Sequence, residues 1–268
     1  MTLSQRRYSA LALGVLAVAG APAFASPPKS VGGPTYDQRA STAFVPGADR
    51  SWRARLIVST RSRLAPGFAA KAGPLIQPDA PYAGGPQVFL VLGAQRALDR
   101  SLWFRVLLPD RPNGRSAWLP ADALRVDANP WRVRVSLAAR RLDLLRAGRV
   151  QQSWRVAVGQ SAYPTPIGRF AISEVVAQTN PAGFFGPVIM TLTGHSDTLS
   201  DFDGGDGRVA LHGTNRPSLL GSAASHGCIR LPNAAARRIA QLAPTGTPVE
   251  IHWSTVYSPN TTRGRVSN

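Results

Sequence analysis

Glycine and proline interrupt this chain at intervals too short for long helices: 25 of the one and 23 of the other fall among 268 residues. Glycine costs backbone entropy inside a helix and proline removes a helical donor, so strands, turns and short helices are what can form between them. The apolar share, 44% of residues with 7% aromatic, is enough for a buried core and excludes a disordered chain. From Ser51 to Val126 short apolar runs alternate with turn residues: Leu56-Ile57-Val58, Val88 to Leu92, Trp103 to Leu108, and Ala117-Trp118-Leu119. The Pro109 to Gly114 turn predicts a hairpin between the last two, and residues 50–127 read as a small β-barrel.

A second β-rich unit, residues 128–253, opens where Trp131, Val133, Val135 and Leu137 alternate with polar residues, as a strand with one buried face requires. Leu142 to Leu145 and Val150 to Val158 extend it into hairpins. Asn180 to Gly207 is Gly-rich with little periodicity and reads as a long flap loop rather than part of the sheet. Asn233 is placed to cap a short helix through Ala234 to Leu242, with Pro244 and Gly246 stopping it, and Val249 to His252 reads as a closing strand. Residues 254–268 read as a flexible tail. The fold class is therefore mainly β, a small barrel followed by a larger β-rich domain.

The chain carries 31 Lys and Arg against 14 Asp and Glu, a formal +17, which suits an anionic surrounding. Arg6 and Arg7 precede the apolar run Ala10 to Gly20, and Ala23-Phe24-Ala25 offers a small-x-small cleavage site before Ser26. Residues 1–25 thus read as a secretory signal peptide and 26–49, rich in Pro, Gly and Ser, as a linker. Export to the wall, periplasmic space or exterior makes nucleic acid an unsuitable partner and anionic wall polymer a suitable one. The run is too short to span a bilayer, and no later stretch is long and apolar enough to do so.

An exported chain with one cysteine has no internal disulfide framework, so Cys228 calls for an explanation. Two of the four histidines lie close to it, in Leu211-His212-Gly213-Thr214 and Ser225-His226-Gly227-Cys228-Ile229-Arg230. A thiol needs a base or cationic neighbour to form thiolate, and imidazole titrates in the right range. The glycines leave main-chain amides open to an oxyanion, and Arg230 is a fork for a carboxylate. Two other readings stand beside thiol catalysis. His212 could be a satisfied structural histidine, or His212, His226 and Cys228 could bind zinc with His195, Asp201, Asp203 or Asp206 as fourth ligand.

The stretch His212-Gly213-Thr214, followed eleven positions later by Ser225-His226-Gly227-Cys228-Ile229-Arg230-Leu231, resembles the signature of the L,D-transpeptidase family, the YkuD-type catalytic domain. Tyr163 to Phe170, Gly194-His195-Ser196 and Gly246 to Val249 extend the resemblance over about residues 130 to 253, and the amino-terminal unit looks like a bacterial SH3-type module. The resemblance implies Cys228 as nucleophile and His212 as base, oriented through the adjacent backbone carbonyl. It further implies Ser225, His226, Gly227, Arg230 and Gly213 as substrate-binding or oxyanion residues, with no metal and no cofactor. Some relatives carry Asn where this chain has Arg230. The implied reaction is peptidoglycan 3→3 cross-linking on stem peptides with release of D-Ala. An L,D-carboxypeptidase using water, and a wall-binding protein without activity, are the alternatives.

Overall fold

The computed structural model describes residues 43–201 and 205–255. The signal-peptide reading, most of the linker and most of the tail lie outside the described residues. Within the compact unit Asp37–Asn268 the described residues build two large sheets and one short helix, the mainly β architecture expected from the turn density.

The first sheet holds β1 (Ser51–Leu56), β2 (Thr60–Arg63), β3 (Ala72–Ile76), β4 (Val88–Arg96), β5 (Leu102–Leu107), β6 (Ser116–Pro120) and β7 (Leu124–Asn129) in the order β3-β2-β6-β5-β4-β1-β7. Every pairing in it is antiparallel. The Pro109 to Gly114 turn joins β5 to β6 as a hairpin, with Phe104 opposite Leu119 and Val106 opposite Ala117. Phe44, in the segment read as linker, is buried against Trp52 and Phe104 at ring separations of 4.9 and 5.0 Å. That segment is therefore packed from Phe44 onward.

The second sheet adds β8 (Trp131–Ser136), β9 (Arg141–Arg146), β10 (Arg149–Arg155), β12 (Gly168–Ala177), β13 (Val188–His195), β14 (Arg208–His212), β16 (Ile229–Arg230) and β17 (Pro248–His252), ordered β10-β9-β8-β17-β12-β13-β14-β16. The short β11 (Val158–Gly159) and β15 (Ala223–Ser225) pair with each other in parallel. Val133 and Val135 are fully buried, as the alternation in β8 requires. The last strand enters the middle of this sheet, parallel to β8 and antiparallel to β12.

Two expectations need correction. The segment Asn180 to Gly207 is not loop throughout, because Val188 to His195 forms β13 between β12 and β14. Its Gly194 serves packing rather than turning: a Cβ there would fall 2.4 Å from the Phe170 ring. Asn233 does not cap its own helix. The helix α1 (Asn233–Leu242) starts after Pro232 without a side-chain cap, and Asn233 Oδ1 instead accepts the N–H of Thr214 at 2.7 Å.

The two sheets are in contact through β4 and β12. β4 is a continuous apolar run because it is covered on both sides, and its Leu90 packs with Leu107 and with Ala171 of β12. Buried polar bonds fix the contact: Glu174 takes the N–H groups of Tyr82 and Ala83 at 3.1 and 2.6 Å, and Asn129 Nδ2 donates to Thr247 Oγ1 at 2.9 Å. Arg132 donates to Glu250 and to the carbonyl of Gly47. Such bonds leave few unsatisfied groups behind and set one relative placement.

Candidate active site

His212 ends β14 and Arg230 ends β16, and the parallel pairing of these strands puts the two residues opposite each other. Cys228 stands just before β16, at the end of a turn that favours glycine at position 227. Gly227 has φ +112°, a conformation that side-chain-bearing residues rarely adopt. Ser225 Oγ donates to the carbonyl of Cys228 at 2.5 Å and accepts the N–H of Gly227 at 3.2 Å. From across the fold, Thr165 Oγ1 donates to the carbonyl of Gly227 at 2.9 Å and accepts the N–H of Gly159 at 2.8 Å. The thiol is thus carried on a turn locked from both sides.

His212 is 1% exposed. Its Nδ1 lies 2.6 Å from the carbonyl of Gly213, and because a carbonyl can only accept, Nδ1 bears the proton and Nε2 keeps its lone pair. Burial drives the ring's pKa down to about 4, helped by the positive charge of Arg230 and opposed by the Gly213 carbonyl. Burial also pushes the Cys228 thiol up, while an N–H from Ala210 and the charge of Arg230 pull the other way. At neutral pH the pair rests as thiol and neutral imidazole, with a ring prepared to take a proton rather than one that already holds it.

One pocket collects His212, Ser225, His226, Cys228 and Arg230, walled by Phe184 and Phe185 on one side and by Ser196, Leu199, Gly207 and Arg208 on another. The two phenylalanines belong to the loop before β13. Phe185 meets the His212 ring edge to face at 5.1 Å, and Phe184 lies 6.1 Å from it and 4.9 Å below the Arg230 guanidinium. Arg230 is 6% exposed, and its buried Nε has no hydrogen-bond partner. His226 is exposed at the rim with its ring 4.8 Å from Tyr163.

Five of the seven residues singled out in the sequence therefore face one pocket, and the other two stand behind it. Gly213 permits a close approach: a Cβ would come within 2.3 Å of Asn233 Oδ1 and 2.8 Å of Pro187 Cδ. The N–H of Gly227 is taken by Ser225. Thr165, Phe184, Phe185 and Asn233 are additions that the sequence reading did not assign to the site. Of these Thr165 lay in the Tyr163 to Phe170 stretch, and Asn233 was placed only as a helix cap. Among the described residues no three His, Cys, Asp or Glu side chains gather as a metal site, and no helix is long and apolar enough to cross a membrane.

Comparison with known proteins gives this geometry its family. The family profile of the YkuD L,D-transpeptidase catalytic domain matches residues 130–251. A protein of Bacillus subtilis named as the L,D-transpeptidase YqjB is 31% identical over 153 residues, covering 55% of this chain and 81% of its own. The chain belongs to the YkuD L,D-transpeptidase family. A Bacillus licheniformis member named YkuD is 37% identical over 125 residues, 47% of this chain and 67% of its own. Among solved structures, the catalytic domain of the Enterococcus faecium L,D-transpeptidase is 19% identical, with a TM-score of 0.36 over 46% of this chain and 96% of that one. The chain spans about two thirds of the first curated relatives and about half of the first two solved structures it matches. The L,D-transpeptidase match takes in the whole second sheet and leaves the first outside it.

Proposed function

We propose that this protein is an exported peptidoglycan L,D-transpeptidase that forms 3→3 cross-links through a Cys228 thioester. The observation that carries the reading is the His212 tautomer, fixed by the Gly213 carbonyl with Nε2 free to take a proton, in the same pocket as the chain's single cysteine. His212 Nε2 takes the thiol proton as Cys228 Sγ attacks the carbonyl of the third stem residue, a diaminopimelate-type L centre. The carbon–nitrogen bond to D-Ala breaks, and its amine leaves with the proton returned by His212. An amine from a second stem then attacks the thioester, forms the new amide and restores the thiol. With the Gly227 N–H occupied by Ser225, the oxyanion falls to the amide of Cys228 itself. Arg230, buried without a partner at Nε and facing the pocket, suits the diaminopimelate carboxylate. His226 and Tyr163 line the rim where the stem enters.

Residues 1–25 act as the signal peptide in this reading. Residues 50–127 form an SH3-like module whose five arginines between Arg50 and Arg63 meet anionic wall polymer. The test is mass spectrometry of products from disaccharide tetrapeptide. A cross-linked dimer lacking one D-Ala supports transpeptidation, tripeptide alone reassigns the protein as an L,D-carboxypeptidase, and unchanged substrate refutes both. A carbapenem should add its mass to Cys228 and not to Cys228→Ala; an adduct that persists in the variant places the nucleophile elsewhere.

A further inference from the structure

The loop between β13 and β14 forms one wall of the Cys228 pocket, yet much of what holds it comes from the other sheet. At the tip of the β5–β6 hairpin, Asn113 meets the backbone of His195 twice. Its Oδ1 accepts the His195 N–H at 2.8 Å and its Nδ2 donates to the His195 carbonyl at 2.8 Å, with a further contact to Asp197 Oδ1 at 3.2 Å. Arg111 spreads one guanidinium over three carbonyls, Nη1 to Ser196 at 2.8 Å and Nη2 to Leu199 and Asp206 at 2.8 and 3.1 Å. Arg208 answers from the wall, donating to the carbonyl of Pro109 at 3.2 Å and lying 4.9 Å over the Tyr82 ring.

These bonds answer a definite need. A loop leaves carbonyls without ladder partners, and here side chains of the first sheet satisfy four of them. The packing allows little slack, since a Cβ on Gly207 would come within 2.2 Å of the Leu199 carbonyl and 2.9 Å of Arg111 Nη2. Ser196, Leu199, Gly207 and Arg208, the residues so held or their neighbours, face the thiol across the pocket. Arg111 is itself exposed, so its removal leaves no buried hole.

We infer that Arg111 and Asn113 are positioning residues for substrate binding, through which the first sheet sets the pocket wall of Ser196, Leu199, Gly207 and Arg208 without touching the thiol. The inference rests on the proposed function for the identity of the substrate, a peptidoglycan stem peptide, which is large enough to lie along the wall. A small electrophile that reaches only Cys228 does not sense it.

The experiment uses the full chain and the variants Arg111→Ala, Arg111→Lys and Asn113→Asp. The last keeps the acceptor for the His195 N–H, loses the donor to its carbonyl and sets a second carboxylate beside Asp197. Three quantities are read: KM and kcat for disaccharide tetrapeptide, the rate of iodoacetamide alkylation at Cys228, and amide hydrogen exchange in residues 196–201. In Arg111→Ala and Asn113→Asp, KM should rise about tenfold with kcat and alkylation near wild type, a loss in line with a displaced binding wall. Exchange in 196–201 should accelerate while β12 and β13 keep their protection. Arg111→Lys, which can reach one carbonyl but not three, should recover part of the KM. Unchanged KM, or KM, kcat, alkylation and melting temperature all worsening together, overturns the inference. Wild-type protein that leaves the tetrapeptide intact refutes the proposed function instead. Exchange and alkylation then decide the brace alone, which falls if exchange in 196–201 is unaltered in Arg111→Ala.

Discussion

Lowering the pH should destabilise this fold through His212. In the unfolded chain its imidazole takes a proton near the ordinary value of 6.5, whereas burial holds it near 4 in the folded one. Between those values the unfolded state binds more protons, so stability falls as pH falls, by ~1.4 kcal/mol per pH unit. The loss begins below about 6.5, amounts to about 3 kcal/mol by pH 4 and does not grow further. For a unit of roughly 200 residues that corresponds to a drop of about 6 to 12 °C in melting temperature. Other groups are shifted as well: Asp143 and Asp206 are held below the usual carboxylate range, and burial lowers His195 and His252. The comparison that isolates His212 is therefore with His212→Asn, which can still donate to the Gly213 carbonyl and does not titrate. Urea unfolding of both proteins at neutral pH and at about pH 4 measures the gap. The wild type should lose about 3 kcal/mol more than the variant. Parallel losses in the two proteins would show that the folded state accepts the proton without penalty, and the account of His212 as a buried neutral base would fail.

Arg230→Lys should slow tetrapeptide turnover by about 10- to 100-fold, the worth of a charge-assisted fork, while melting near the wild-type temperature because Nε bonds nothing in the fold. Equal losses of turnover and stability would return it to a bracing role. Thr165→Val removes the bond by which Thr165 holds the thiol's turn and its bond to Gly159, leaving the Gly227 carbonyl and the Gly159 N–H unpaired, and should cost about 1–3 kcal/mol in urea unfolding and slow carbapenem acylation. Gly194→Ala should destabilise by about 1–3 kcal/mol through its clash with Phe170; a neutral change would mean that the ring has room to move.

The parts legible in the sequence are those whose cause is local. The alternation from Trp131 to Leu137 and the Pro109 to Gly114 turn each specify their own geometry, and the run from Ser225 to Arg230 brings nucleophile, turn glycine and guanidinium together within six residues. The illegible parts depend on partners far along the chain. The glycines of Asn180 to Gly207 suggested a loop, but Gly194 is small because Phe170, from another strand, lies over it. Asn233 precedes a helix as a cap would, yet its oxygen is claimed by Thr214. Thr165 reaches Gly227 across 62 positions and Asn113 reaches His195 across 82, separations over which no periodicity carries information. Phe184 and Phe185 lie within the segment read as a flap, but their packing on His212 depends on a strand that follows them in the chain and shows only in the structure.

The place of β17 has a consequence for how the protein comes into being. This strand is the last in sequence order among the described elements, yet it sits between β8 and β12, pairing Val249 with Val133 on one side and with Phe170 on the other. Until residue 252 has emerged, the hairpin side of the sheet and the side that carries His212 and Cys228 have no seam between them, and both present open edges. Pairing over such long sequence separation is intrinsically slow. Cys228 thus stands without a finished sheet behind it until the strand that comes last among those described has taken its place, and its pocket is completed by residues well downstream of the thiol.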